Sequence, residues 1–337
     1  MEKSFIAPLD RKDEKISENT ISNDSSRKII HRTKGHRSGP ITRLVSPSDV
    51  GELIKPFVFL DYFEVQPMNG ATFEWHPHSG IATITYMLFG EGHYQDSTGK
   101  QGILPQGGVE WMRAGSGVWH TSSITDSLNQ GFQLWITLPP EQELAPAESV
   151  YLPPHEVASE GQVQVLLGQY GTAKSPIASP PSINYLAVRL KAGERWQFQP
   201  GQGHTVCWIA IQAGALRVDQ QILDAGELVV FEESDVAINF QAEGDTTFVL
   251  GSGMKHPHSQ VLGSYSVHTT KEALRQGEMG IKNIAQRLRS AGQFRLVLYS
   301  AIAPLKTFCT RLDEAITFLR FRIETEQFLK NDQQSRT

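Results

Sequence analysis

Only two cysteines, Cys207 and Cys309, occur in the 337-residue chain. That scarcity excludes a disulfide framework and a cysteine zinc site, and it fits a reducing compartment. No uncharged apolar run approaches the roughly 18 residues of a membrane-spanning helix. The opening "MEKSFIAPLDRKDEKISENT" has no apolar core of the signal-peptide kind. A cytoplasmic protein is expected, with the nucleus as a further compartment for a eukaryotic source, and no membrane partner. Positive charge is not in excess either: 31 Lys and Arg against 36 Asp and Glu give a formal charge of -5. Direct nucleic-acid binding is therefore not expected, and the locally basic "SSRKIIHRTKGHR" reads as a solvated arm. A glycine-rich phosphate loop, a serine-hydrolase elbow and a zinc-protease motif are all missing, so nucleotide chemistry is not indicated.

What is there is ordinary globular composition, 39% hydrophobic and 20% charged, over a length that accommodates two domains. Residues 1–35 are polar and nearly free of aromatics, which offers too little apolar surface to offset the entropy of ordering; a mobile arm is expected. From 36 to 150 the chain alternates apolar and polar residues in short segments such as "KPFVFLDYF", "ATITYMLFG", "GGVEWMRAG" and "FQLWITLPP", separated by turn formers. Such texture predicts an antiparallel barrel or sandwich. The Pro- and Glu-rich "LPPEQELAPAESVYLPPHEV" should carry the chain across to a second unit of the same texture over 160–270. The likeness of the two halves in length and punctuation points to an ancient duplication. Residues 271–337 read as helical: "TKEALRQGEMGIKNIAQRLRSAG" opens on a threonine cap and closes at glycine, and Ile316, Leu319 and Ile323 mark an apolar face in the last segment. That face needs a partner, in the same chain or in a second subunit.

The chemistry concentrates at "WHPHSG", where His76 and His78 are one residue apart. On a strand, this spacing turns both side chains to one face; on a turn, it is merely two solvated polar residues. If the chain stays extended through Gly80, His76, His78, Ala82, Ile84, Tyr86 and Leu88 share that face. A buried imidazole without a partner costs about 1 to 3 kcal/mol, so a metal or a hydrogen bond is needed there. A third histidine, His120, follows the turn in "RAGSGVWHTSS", at a distance that lets a closed sheet return it beside the first pair. Glu110 reads as a solvent-facing strand residue, with a fourth-ligand role as the alternative. Tyr86, Trp111 and Trp119 read as core, with a pocket mouth as the other reading. "HPHS" recurs at His256–Ser259 without a following strand, and His204 stands alone in its segment, so neither is taken as a ligand site; Cys207 reads as apolar filler.

Paired histidines on one strand and a third on a later strand resemble the cupin signature. More narrowly, "HPHSGIATITYMLFGEGHYQDSTGKQGILPQGGVEWMRAGSGVWHTS" resembles the pirin family, as do the flanking "PFVFLDYF" and "GSYSVHTTKEAL". The resemblance spans roughly residues 36–290. It implies a mainly β fold of two cupin-type antiparallel barrels with C-terminal α-helices, and a single metal in the N-terminal barrel. The family pattern of three histidines and one glutamate carries over onto His76, His78 and His120, but the carboxylate position holds Ser122. A second cupin position for an acid holds Ala82. The second barrel is expected to be metal-free.

By that resemblance the cofactor is a divalent metal, foremost iron, with zinc, nickel and copper as the other ions that imidazoles suit. The implied activity is a dioxygenase acting on a small aromatic substrate of the flavonol type, such as quercetin. The second reading is a non-catalytic regulatory module that docks on a protein partner with a weakened or lost metal site. Ser122 bears on both, because a site without its glutamate lacks a charge and a base.

Overall fold

In the computed structural model, residues 27–66, 72–124, 128–180 and 182–292 are described. The alternating segments close into two barrels, each of a seven-stranded and a four-stranded sheet. The larger sheet of the first barrel runs, in spatial order, Glu148–Leu152, Val109–Arg113, Ile81–Phe89, Asn129–Thr137, Phe57–Val65, Ile41–Val45 and His36–Ser38. Its smaller sheet runs Thr72–His78, Val118–Ile124, Gly92–Asp96 and Gln101–Leu104.

The second barrel repeats this plan. Its larger sheet runs Ile29–Thr33, Leu228–Phe231, Val206–Ala213, Thr246–Gly253, Ile183–Leu190, Val163–Leu167 and Ser159–Glu160. Its smaller sheet runs Arg195–Phe198, Ile238–Ala242, Ala215–Val218 and Gln221–Asp224. The fold is mainly β, with cupin-type antiparallel barrels.

One strand departs from the sequence reading. Residues 27–35, which composition assigns to the arm, include Ile29–Thr33, paired antiparallel with Leu228–Phe231 at the edge of the second barrel. Burial alternates along it, and Ile29 packs against the barrel core. Two of the basic residues that suggest solvent have partners: the Arg27 guanidinium, 2% exposed, donates to the carbonyls of Glu232 and Thr205, and Arg32 pairs with Glu227 at 2.6 Å. Composition averaged over the segment misses a strand whose partner lies far along the chain.

The two larger sheets face one another. Phe57, Ile84, Tyr86, Trp111 and Phe132 of the first join Tyr185, Trp208, Val230 and Val249 of the second in one core. Phe57 meets Trp208 edge-on at 5.5 Å, and Tyr86 donates to Gln164 across the junction at 2.7 Å. Gly251 makes room for Trp208: a β-carbon there would lie 2.3 Å from the indole. The interior of the second barrel is separately filled by Trp196, Phe198, Phe231, Phe240 and Phe248.

Of the expected helical extension, Lys271–Ser290 is a helix whose N-cap, Thr270, accepts from the amide of Ala273 at 3.1 Å. It packs on the first barrel, where Trp119 donates its indole N–H to the carbonyl of Ile281 at 2.9 Å. The segment bearing Ile316, Leu319 and Ile323 lies outside the described residues. Among the described residues, no helix is long and apolar enough to cross a membrane.

Candidate metal centre

Strands Thr72–His78 and Val118–Ile124 are antiparallel neighbours, and their register sets His76 directly opposite His120. His78 follows two positions on, on the same face. The chain does not stay extended beyond it. Gly80 adopts φ +75°, a left-handed conformation that side chains resist, and its amide donates to the carbonyl of Gly115 at 2.8 Å. A β-carbon at Gly80 would also sit 2.2 Å from the carbonyl of Val267. The turn passes the chain from the smaller sheet to Ile81–Phe89 in the larger one.

The sequence-expected face is thereby broken. Ala82, Ile84, Tyr86 and Leu88 point into the core between the barrels, away from the histidines. Position 82 is thus no carboxylate position in this chain: an acid there would enter the inter-barrel core.

His76, His78 and His120 form one group whose ligand atoms all lie within 4.8 Å of one another. The Nε2 atoms of His78 and His120 are 3.2 Å apart. The Nδ1 atoms of His76 and His78 have carbonyl acceptors, and that of His120 has a carboxylate at ion-pair distance. His76 Nδ1 is 2.8 Å from the Glu74 carbonyl, His78 Nδ1 is 3.3 Å from the Tyr265 carbonyl, and His120 Nδ1 is 3.4 Å from Glu110 Oε1. Assigned from these partners, the tautomers carry the proton on Nδ1 and leave the Nε2 lone pairs free, those of His78 and His120 close to one another.

Burial, and secondarily His120, holds the pKa of His76 down at about 3. Burial, followed by His76 and His120, also holds His78 well below the ordinary range. These imidazoles are therefore neutral near pH 7, the form that binds a metal. Two ligands about 2.1 Å from one ion stand about 3.0 to 3.4 Å apart at octahedral or tetrahedral angles, so the 3.2 Å separation fits a shared ion.

The fourth protein ligand implied by the family pattern is absent. Ser122 is partly buried, with its Oγ close enough to Gly92 that a β-carbon there would approach it at 3.2 Å. Glu110, expected on the solvent side, is instead buried at 7% exposure. Its strand, Val109–Arg113, turns Val109 and Trp111 toward the second barrel and Glu110 to the opposite face, beside His120. It stands behind His120, at the outer nitrogen, rather than within the ligand group. Tyr151 donates to Asp96 Oδ2 at 2.9 Å and lies 3.4 Å from Glu110 Oε1.

Two aromatic residues that sequence reasoning passes over flank the histidines. Trp135 meets His78 edge-on at 5.0 Å and stacks on Phe59 at 4.1 Å. Tyr265 has its ring 6.1 Å from both His76 and His78. Tyr86 and Trp111, by contrast, belong to the inter-barrel core, and Trp119 serves the helix. A usable signal for Tyr265 was the family-like "GSYSVHTT"; Trp135 had only its strand alternation.

The segment carrying Tyr265 is clamped to the site. Ser79 Oγ is 2.8 Å from Ser266 Oγ and 3.0 Å from His268 Nε2, and the outer nitrogen of His268 meets Glu143 at 3.1 Å. All four residues are buried, and glycines 80 and 277 crowd the His268 ring. The Ser–His–Glu contact is therefore a structural tie and not an open nucleophile.

Elsewhere, His256 and His258 have ring centroids 5.2 Å apart. Among the described residues they gather no third ligand. His204 contacts Ser252 at 3.3 Å, and Cys207 is buried in the second barrel's core.

The family model described as Pirin matches residues 40–136. A Pseudomonas aeruginosa protein provisionally named a quercetin 2,3-dioxygenase is 30% identical over 266 residues, 72% of this chain and 91% of that protein. A pirin-like protein of Caulobacter vibrioides is 29% identical over 247 residues, 70% of this chain and 88% of its own. Among solved structures, a quercetin 2,3-dioxygenase from Acinetobacter baumannii superposes with a TM-score of 0.69 at 23% identity, covering 80% of this chain and 100% of that one. The Escherichia coli bacterial pirin YhhW, in complex with nickel(II), gives 0.52 at 18% identity, covering 68% and 96%. With a relative of this identity matched over nearly its whole length, the chain belongs to the pirin family.

Proposed function

We propose that the chain is a mononuclear metalloprotein that acts as a dioxygenase on small aromatic substrates of the flavonol type, with iron held by His76, His78 and His120. The observation that carries the metal reading is the grouping of three imidazoles with ligand atoms within 4.8 Å of one another, the Nε2 atoms of His78 and His120 standing 3.2 Å apart. The names of the relatives support the substrate class.

A bound iron would supply Lewis acidity toward substrate hydroxyl oxygens and redox access to dioxygen. The protein's own contribution is orientation and exclusion of water. Trp135 and Tyr265 stand edge-on to His78 and give that side of the site an aromatic wall. Val58, Phe59, Ile81 and Val267 pack around Trp135 and keep that side of the site apolar.

A protein-docking role without turnover is the second reading, favoured by the serine at position 122, where the family pattern has its carboxylate. The deciding experiment is metal content by mass spectrometry on protein purified without chelators, followed by oxygen uptake with quercetin. The proposal expects about one equivalent of metal per chain, lost in His76→Ala and His120→Ala, and quercetin-dependent oxygen uptake. Metal without uptake, even in Ser122→Glu, would leave the docking role; less than about a tenth of an equivalent after reconstitution would remove the metal reading.

A further inference from the structure

Three imidazole ligands bring a dication no negative charge, and a buried charge needs compensation nearby. Glu110 is a buried carboxylate on the outer side of His120. Among the described residues, His120 is its one partner at ion-pair distance; no lysine or arginine reaches it. Its remaining neighbour, Tyr151, has a single hydroxyl proton between two carboxylates and lies nearer Asp96, at 2.9 Å against 3.4 Å. Burial first, then Glu110 and Asp96, raises the pKa of that phenol strongly, so it keeps its proton.

Asp96 is otherwise satisfied: its Oδ1 accepts from the Thr98 amide at 2.7 Å, the Thr98 hydroxyl at 2.5 Å and the Lys100 amide at 3.3 Å. Glu110 has no such set. Register holds the assembly together, with His120 opposite Asp96 and Glu110 opposite Tyr151.

We propose that Glu110 is the positioning residue of the metal site, acting through His120 to supply the charge that Ser122 does not. Lying 3.4 Å from Nδ1, its carboxylate favours the Nδ1–H tautomer that presents Nε2 and makes His120 the most electron-rich of the three ligands. Carboxylate–histidine–metal arrangements of this kind raise ligand basicity, and their loss weakens binding about 10- to 100-fold. The carboxylate of this chain thus stands behind His120, at Glu110, and not at position 122. Tyr151 and Asp96 hold it in place.

This inference rests on the metal reading above, and its test separates the two. Zinc(II) affinity is measured by chelator competition on the full chain for wild type, Glu110→Gln and Tyr151→Phe. Iron-loaded samples are compared by reduction potential, and the metal-free His120 tautomer is read by 15N NMR. Glu110→Gln keeps the size of the side chain and removes its charge. The expected results are an Nδ1–H tautomer at His120 in wild type, about 10- to 100-fold weaker zinc binding in Glu110→Gln, a more positive iron potential, and a smaller loss in Tyr151→Phe. A wild type that binds zinc no more tightly than Glu110→Gln, with equal potentials, overturns the positioning role while leaving the metal site standing. A wild type that binds neither metal removes the proposed function; the tautomer then decides the local claim alone, with an Nε2–H form at His120 overturning it.

Discussion

Across strands Thr72–His78 and Val118–Ile124 of the first barrel, His76 stands opposite His120; across the strands at the same places in the second, Trp196 stands opposite Phe240. The first pair of rings lies 4.2 Å apart beside His78 and a buried glutamate, whereas the second stacks at 5.6 Å among phenylalanines. One strand order therefore supports two interiors. In the second, apolar burial stabilises the barrel directly. In the first, polar groups occupy the same region and need partners, which the clamp from residues 265–269 and the Asp96–Tyr151–Glu110 chain provide. Apolar packing fills the second interior, and the histidine cluster occupies the first.

The largest expected contrast comes from exchanging the two kinds of loss. His76→Ala should abolish metal binding, measured by chelator competition. Phe240→Ala should leave metal stoichiometry intact and cost about 3 to 5 kcal/mol in denaturant unfolding. Loss of metal in the Phe240 variant while it remains folded would erase the distinction between the barrels.

Next in size is the junction. Gly251→Ala places a methyl against Trp208 and should destabilise the chain by about 1 to 3 kcal/mol without altering metal affinity, read by unfolding midpoints and the same competition assay.

Acid should distinguish the barrels more gently. His76 and His78 have folded pKa values below the unfolded value of about 6.5, so the unfolded chain takes up protons first as pH falls. Stability from these groups is full above pH 6.5 and declines as pH drops toward the folded value of about 3 for His76. Between about pH 6.5 and 5, before most carboxylates titrate, metal-free wild type should lose stability more steeply than a His76→Gln, His78→Gln double variant. The Phe240→Ala chain should keep the wild-type slope. Equal slopes in all three would contradict the burial of neutral histidines. The smallest effect is at the helix on the first barrel: Thr270→Ala removes the cap and should cost about 1 kcal/mol, seen in the melting temperature.

The histidines were legible in the sequence because their geometry is local: a period of two sets His76 and His78 on one face wherever a strand forms. His120 needed only a return strand after a glycine turn. Which face was which could not be read, because Ile81–Leu88 is buried on both sides and presents a continuous apolar run. Hence Ala82 and Tyr86 appeared to continue the ligand face, and Glu110 appeared exposed. Tyr265 and the strand Ile29–Thr33 depend on contacts with residues about two hundred positions away, which no local pattern encodes.

The most direct measurement is anomalous diffraction at the iron edge, from crystals of protein reconstituted with iron(II). The account predicts one strong peak bonded to the Nε2 atoms of His76, His78 and His120, and none inside the second barrel. A map without density at the three histidines, or with its peak at His256 and His258, would contradict it.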